Sequence, residues 1–495
     1  MSWIDILSES IVRHFNRNAF KIGDQYFTYH DLAKSISAIR IAIRENIPEE
    51  EKMIGLVAND DLETYAAIIA LWFEGKAYVP LNPDAPLSRN FDIIDQADIK
   101  TIIDSTPVSQ FFSQKIIFSA NLVKDEIDLT PKNALNDETC VILFTSGTTG
   151  IPKGAQLTYK GIEALLDAFW EIGFDIDDQD KCLQMFHLTF DFAILAYLPP
   201  LLKGACFYTI PKSEIKFSYI HELLVEHNLT SIHIVPSILQ LLRPYFHEIH
   251  LPSLKNCLVS GEALRTDLSE EWSRCAPMAK IFNSYGLTED TIICTIYPLK
   301  RGTTNKSFNG ILSLGQPMKG THVIIIDENG KEMATGEKGE LCVSGPQLTP
   351  GYLKNESKNK EVFFKTFYNG QEERFYRSGD HCFIDDEGDI LYLGRIDFQA
   401  KIFGFRVELA EVEYHARKFS GELNLAAIAF QNSGGITELG LVFESPEFNT
   451  QHFLQQMKEN IEFYMVPSKI KFIEELPKSL NGKIDRNTLV KLFVI

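Results

Sequence analysis

Between residues 28 and 300, short apolar runs alternate with segments of helical spacing, and this rhythm constrains the fold more than any other feature. "TYHDLAKSISAIRIAI" (28–43) is spaced as a helix, "MIGLVA" (53–58) as a buried strand, and "DLETYAAIIALWFEG" (61–75) as a helix again. "YVPLNPDAP" (78–86) reads as a short strand entering a proline-rich turn. "TIIDS" (101–105), "KIIFS" (115–119), "ACFYTI" (205–210), "SIHIVP" (231–236) and "NCLVSG" (256–261) are further strand candidates. Strands alternating with helices imply parallel sheets covered on both faces. After about residue 311 the texture changes. "HVIIIDENGK" (322–331), "GELCVSG" (339–345) and "GDILYLGR" (388–395) are short strands with glycine turns, as in an antiparallel barrel or meander. A chain of 495 residues exceeds one hydrophobic core. The expected fold class is α/β: a large N-terminal domain of parallel sheets with helices plus a β-barrel-like subdomain (1–396), and a small mobile α+β C-terminal domain (397–495).

The strand-like "CVILF" (140–144) runs straight into "FTSGTTGIPKG" (144–154), which combines glycines, four hydroxyl side chains and Lys153. Glycines let the backbone approach an anion closely, and successive amide N–H groups form an anion nest. Thr145, Ser146, Thr148 and Thr149 add donors beside Gly147 and Gly150. The stretch ends Pro152-Lys153-Gly154, so it is not the GxxxxGK[ST] loop. It reads as a phosphate loop of another kind.

Bulk composition excludes several classes. A formal net charge of −19 argues against a nucleic-acid surface. No basic n-region and apolar h-region open the chain, and "YAAIIALWF" (65–73) falls short of a membrane span, so neither secretion nor membrane insertion is expected. Eight cysteines without a CxxC pair suggest neither zinc nor a disulfide framework, and a reducing cytoplasm is the simplest setting.

Further polar stretches follow in order: "NSYGLTED" (283–290), "YRSGDH" (376–381), "GRIDFQAKIFGFRVELAEVE" (394–413) and "NGKIDR" (481–486). Singly each has a plain reading, since a lysine on an Asn-Gly turn is usually solvated and an aspartate in a Gly-Asp turn is usually a cap. Jointly, with "FTYHDLA" (27–33), "FEGKAYVPLNPDAP" (73–86), "TFDFAI" (189–194) and "YMVP" (464–467), they resemble the adenylate-forming superfamily over nearly the whole chain. Within it they resemble amino-acid adenylation domains of nonribosomal peptide synthesis and D-alanine–carrier ligases.

The resemblance implies two half-reactions. ATP and an amino acid give aminoacyl-AMP and pyrophosphate, and then the phosphopantetheine thiol of a carrier protein displaces AMP. Bringing a carboxylate to a polyphosphate needs cations. The family pattern puts Lys483 between them, Thr288 on the α-phosphate and Glu289 on Mg²⁺. It puts Tyr285 against adenine, with Gly261 and Gly286 beside it, Asn283 on the adenine amino edge, and Asp380 on the ribose hydroxyls near Arg395. Asp397 falls at the hinge, and Gly404 would line the thiol tunnel after the small domain rotates. Leu287 and Ala193 replace the family's usual proline and serine, with little expected consequence. No Gly-Gly-x-Ser site or condensation module is seen, so the carrier protein is expected to act in trans.

For the substrate, Asp191 matches the acid that pairs with the α-ammonium, and its apolar surroundings call for a cationic partner. Phe192, Leu195, His233, Leu258, Ser260, Ser284, Ile292 and Ile293 would line the side-chain pocket. That lining suggests a small or medium uncharged amino acid such as alanine, proline or valine. His233 is equally a hydrogen-bonding partner or a wall residue, and Ser260 stands where D-alanine ligases tend to have cysteine. An acyl- or aryl-CoA ligase is the alternative, against which Asp191 argues. A non-catalytic nucleotide-binding relative is a third reading, against which the retention of Lys153, Glu289, Asp380 and Lys483 argues.

Overall fold

The computed structural model describes residues 2–111, 113–123, 126–132, 137–147, 152–421, 423–478 and 484–493. Two large sheets form the N-terminal part. The first has six strands in the order Lys115–Phe118, Thr101–Asp104, Met53–Val57, Ala77–Leu81, Thr139–Thr145 and Lys153–Thr158. Its first five strands are parallel, and the last turns back antiparallel after the glycine-rich loop. The second has nine strands, with a parallel interior that includes Ser231–Ile234, Asn256–Val259 and Lys280–Tyr285. Parallel strands need crossover helices, which explains the rhythm of the sequence.

Local chemistry sets these elements. Thr28 caps the helix Tyr29–Asn46 and forms a reciprocal capping box with Asp31. Asp61 caps the helix Leu62–Phe73, which is apolar on almost every side and buried accordingly. "YVPLNPDAP" departs from expectation, because strand Ala77–Leu81 continues through Pro80 before the turn. Proline is tolerated there because pairing to Thr139–Thr145 is confined to Tyr78 and Val141, so no ladder bond is asked of Pro80 on that side.

Residues after 311 form the expected antiparallel sheet, from His322–Ile326, Gly339–Ser344, Gln371–Ile384, Phe363–Tyr368 and Ile390–Arg395. Beyond it, hairpin Gln399–Ile402/Phe405–Glu408 leads into helix Leu409–Ser420 and a three-stranded sheet with the helix Thr450–Asn460. The main apolar cluster draws on residues up to Ile390, whereas a separate cluster runs from Ala400 to Met465. Among the described residues no helix is long and apolar enough to cross a membrane.

One buried ionic group ties the helices Tyr29–Asn46 and Leu62–Phe73 to each other and to the segment at Lys132. Glu74, at the end of its helix, meets Arg40 Nε at 2.8 Å, Arg44 Nη2 at 2.8 Å and Lys132 Nζ at 3.2 Å, and its side chain is wholly buried. Burial would raise its pKa, but Arg44 and Arg40 bring it below the ordinary value. The resulting stabilisation is complete above the unfolded value of about 4.3 and is lost as pH falls through the lower native value. Glu74→Gln should therefore cost about 1–3 kcal/mol at neutral pH, because Arg40 loses its nearest carboxylate and keeps only Asp128, at 3.3 Å. Urea unfolding of both proteins at pH 7 checks this, and a loss under about 1 kcal/mol would refute the role given to the pair.

Candidate active site

The glycine-rich loop joins two adjacent antiparallel strands, so its donors stand at the sheet's end. Thr145, Ser146, Gly147 and Lys153 are among the described residues; Thr148, Thr149, Gly150 and Lys483 lie outside them. Thr145 Oγ1 reaches the Lys153 carbonyl at 3.4 Å. The remaining donors face the C-terminal part. Lys153 Nζ meets Glu408 Oε1 at 2.9 Å, and the Gly147 amide donates to Glu411 Oε2 at 2.9 Å. Ser146 Oγ donates to the Arg406 carbonyl at 2.7 Å and accepts from the Glu408 amide at 3.3 Å. Carboxylate oxygens thus sit on donors suited to phosphate.

The hairpin that delivers these groups turns at Phe403 and Gly404, with φ of 50° and 84°. Two positive φ values fit a type I′ turn, and for a bulky phenylalanine the conformation is strained. The Gly404 amide donates to Glu262 Oε1 at 2.7 Å, while Glu262 also accepts from the Ser237 amide and hydroxyl at 2.8 and 3.0 Å. Gly261 and Gly404 meet closely: a Cβ on Gly261 would lie 3.5 Å from the Gly404 Cα. One on Gly404 would lie 3.1 Å from Val235. Phe405 stacks on Tyr464 at 4.1 Å and packs against Phe190 at 5.6 Å.

Glu289 is fully buried, accepts a hydrogen bond from Tyr352, and meets Arg406 Nη1 at 2.9 Å. Burial would raise its pKa, yet Arg406 and the Tyr352 hydroxyl lower it, so it stays ionised. Burial and neighbouring Arg406 lower the pKa of Lys153, against the pull of Glu408. Thr288 Oγ1 donates to Asp191 Oδ2 at 2.6 Å. Asp191 is 7% exposed, and burial raises its pKa to about 6 despite that bond.

On the other side, Asp380 accepts from Tyr285 Oη at 2.6 Å and meets Arg395 Nη1 at 3.0 Å. Lys401 Nζ lies 5.6 Å from the centre of the Tyr285 ring. Arg395 also grips Asp397 through two nitrogens, at 2.8 and 2.5 Å, and Gln399 Oε1 at 2.6 Å. Asn283 donates to the Ser313 carbonyl at 2.8 Å.

A cavity of about 290 Å³ lies between these groups. Asp191, Phe192, Ser260, Gly261, Gly286, Thr288, Ile292, Arg395 and Gly404 line it, as do Glu262, Lys401 and Arg406. Gln240, Gln431, Gly435 and Thr437 also line it, and a Cβ on Gly435 would lie 3.7 Å from the Gln240 side chain. Leu195, His233, Leu258, Ser284 and Ile293 do not line it and are buried. His233 packs among Phe169, Phe174 and Phe192, its Nδ1 has no hydrogen-bond partner among the described residues, and burial lowers its pKa to about 3.

The profile described as "AMP-binding enzyme" matches residues 7–353, most of the chain and all of the loop. The chain belongs to the AMP-binding enzyme family. A D-alanine–D-alanyl carrier protein ligase of Lacticaseibacillus paracasei is 26% identical over 505 residues, covering 98% of both chains. A plipastatin synthase of Bacillus subtilis is 29% identical over 493 residues, which is 98% of this chain but 13% of that protein. The adenylation domain AlmE of Vibrio cholerae, solved with glycyl-adenosine-5′-phosphate, superposes with a TM-score of 0.83 at 24% identity, covering 99% of this chain and 97% of that one. This AMP-binding enzyme is an adenylate-forming ligase of mixed α/β fold that uses ATP.

Glu262, Glu408 and Glu411 stand outside the residues that the sequence motifs single out, although "GFRVELAEVE" contains two of them. The available signal is acids next to an arginine on a short strand, which fits a solvated face equally well. The contacts predict that Glu408→Gln with Glu411→Gln frees Lys153 and the Gly147 amide. The double variant should bind inorganic pyrophosphate several-fold more tightly than wild type by calorimetry. Unchanged or weaker binding would mean that the carboxylates and phosphate do not share those donors.

Proposed function

We propose that this ligase activates an amino acid as aminoacyl-AMP and passes the acyl group to the phosphopantetheine thiol of a carrier protein acting in trans. Asp191 carries the reading. A buried acid in a cavity wall, hydrogen-bonded to Thr288, is completed by an ammonium group arriving in that cavity. The similarity to D-alanine–D-alanyl carrier protein ligase supports the same substrate class.

In the first half-reaction a carboxylate oxygen of the amino acid bonds to the α-phosphorus, and the bond to the leaving pyrophosphate breaks. The loop with Lys153 takes the leaving phosphates, Thr288 the α-phosphate, and Lys483 offsets the charge between carboxylate and phosphate. Glu289, an ionised buried acid, fits a Mg²⁺ ligand once Arg406 has withdrawn; Mg²⁺ would neutralise phosphate charge there. Tyr285 and Asp380 hold adenine and ribose. An ionised carboxylate offers two acceptors to two hydroxyl donors, provided Tyr285 and Arg395 yield them.

In the second half-reaction the thiol sulfur attacks the acyl carbon and AMP leaves. The docked hairpin suits this step. Gly404 leaves the cavity open toward residues 431–437, and Arg486 is held within the C-terminal part by Glu413 at 2.5 Å. We assign residues 1–396 and 397–495 as two domains hinged at Asp397, whose clamp by Arg395 steadies this closure.

ATP–pyrophosphate exchange tests the reading. The kcat/KM for the amino acid should be level above pH 6 and fall about tenfold per unit below it, since the ammonium needs ionised Asp191. Asp191→Asn should cost about 1.5–3 kcal/mol in kcat/KM and flatten that acid limb. A preference for acids lacking an amine would overturn the substrate class. Lys483→Ala should suppress exchange by orders of magnitude while sparing thiol transfer from preformed adenylate, and equal loss in both steps would contradict the assignment.

A further inference from the structure

Arg89 belongs to no motif that the sequence singles out and does not line the cavity of about 290 Å³, but it joins the two parts of the chain. Resting on the two-closure reading, we propose that Arg89 is a positioning residue that latches the C-terminal part in this closure and so favours thiol transfer over adenylation. Its Nη1 meets Glu411 Oε1 at 2.9 Å, and its Nε meets Glu462 Oε1 at 3.4 Å. Both acids follow Asp397, one on the helix Leu409–Ser420 and one just before the turn Phe463–Met465. The side chains of Arg89, Glu411 and Glu462 are 11%, 0% and 8% exposed. The Gly147 amide holds the second Glu411 oxygen at 2.9 Å, and Asn82 Nδ2 donates to the second Glu462 oxygen at 3.2 Å. Among the described residues no other cation pairs with either acid.

Local structure gives no reason for an arginine at this place. Arg89 lies in the first turn of the helix Leu87–Ala97, where the partial positive charge of the helix end disfavours a cation. That turn holds no acid and no side-chain cap. Glu411 lies in the first turn of its own helix, where an acid is favoured. Burial raises the pKa of Glu411 and of Glu462, and Arg89 pulls both back down. A buried carboxylate left without a cation is strongly disfavoured, so the two acids stay docked only while Arg89 meets them. The guanidinium fork serves both from one side chain, which the point charge of a lysine does less well. Neither core depends on this latch. Ile93, Ile94 and Ala97 anchor the Arg89 helix in one apolar cluster, and a separate cluster runs from Ala400 to Met465. A cavity of about 60 Å³ beside Arg89 is also lined by Thr145, Ser146 and Thr288, so a direct hold on phosphate is the competing role.

The test uses the full chain labelled at Met278 and Tyr414, exposed positions on the two parts, and reads the label distance in the free enzyme. Arg89→Ala should lower the population at the wild-type distance, relative to all others, by at least about tenfold. Arg89→Lys should restore part of it. Adding Glu462→Gln to Arg89→Ala should also restore part, because it removes an acid that would be buried with no cation. An unchanged distance in Arg89→Ala, or a further loss on adding Glu462→Gln, would overturn the latch. Activity separates the two half-reactions. With the amino acid that wild type exchanges fastest, Arg89→Ala should keep ATP–pyrophosphate exchange, with an equal or lower KM for ATP. Its acyl transfer to free pantetheine should slow by about tenfold or more. Exchange lost while the wild-type distance is kept would move Arg89 to the phosphates and overturn the latch. A wild type that transfers nothing to pantetheine would overturn the thiol-transfer reading, and the distance shift would still support the latch.

Discussion

Buried charge at the glycine-rich loop governs much of this structure. Lys153, Glu408 and Glu289 have side chains 6%, 5% and 0% exposed, and Arg406 is largely covered. Each ion out of water costs several kcal/mol unless a partner of opposite charge meets it. In this closure the partners come from the hairpin and helix after residue 399. Were phosphate to occupy Lys153 and the Gly147 amide, Glu408 and Glu411 would have to leave, and the hairpin with them. Arg406 would then release Glu289 to a metal ion. The two arrangements would exclude one another by sharing the same donors, so no signal need travel through the fold.

The surrounding scaffold holds unfavourable local geometry. Thr291, Ile292 and Phe403 all have positive φ, at a cost of about 1–3 kcal/mol each; Ile292 lines the cavity, Thr291 precedes it, and Phe403 is on the docked hairpin. Such strain persists only where neighbours over-determine it. The close packing of Gly286 against Ile292, and of Gly404 against Gly261 and Val235, supplies that at each place. The rest of the large apolar cluster and the Glu74 ion group provide the stability against which this strain is set.

Much of the fold is legible in the sequence because buried parallel strands are continuous apolar runs and their helices keep a separate period. Met53–Val57, Thr101–Asp104, Ser231–Ile234 and Asn256–Val259 appear where the runs lie. Pro80 misleads, since its place in a strand depends on which neighbour pairs with it, and that is a tertiary fact. Pro199 and Pro200 likewise lie inside the helix Phe192–Lys203, which the residue pattern alone would end sooner. Around the cavity, the family motifs single out the loop, Glu289, Asp380 and Asp191, because each motif pairs unusual residue types at short range. Glu262, Glu408 and Glu411 are not legible. Their roles arise from contacts across 142, 255 and 264 positions of sequence, and no local pattern encodes those.

The central claim is that the C-terminal part alternates between closures that compete for the phosphate loop. The distance between labels at Met278 and Tyr414, exposed positions on either side of Asp397, measures it most directly. The account predicts one distance in the free enzyme, a second with ATP, Mg²⁺ and a non-reacting amino-acid analogue, and return to the first once nucleotide and pyrophosphate are removed. A single distance under all three conditions would contradict it.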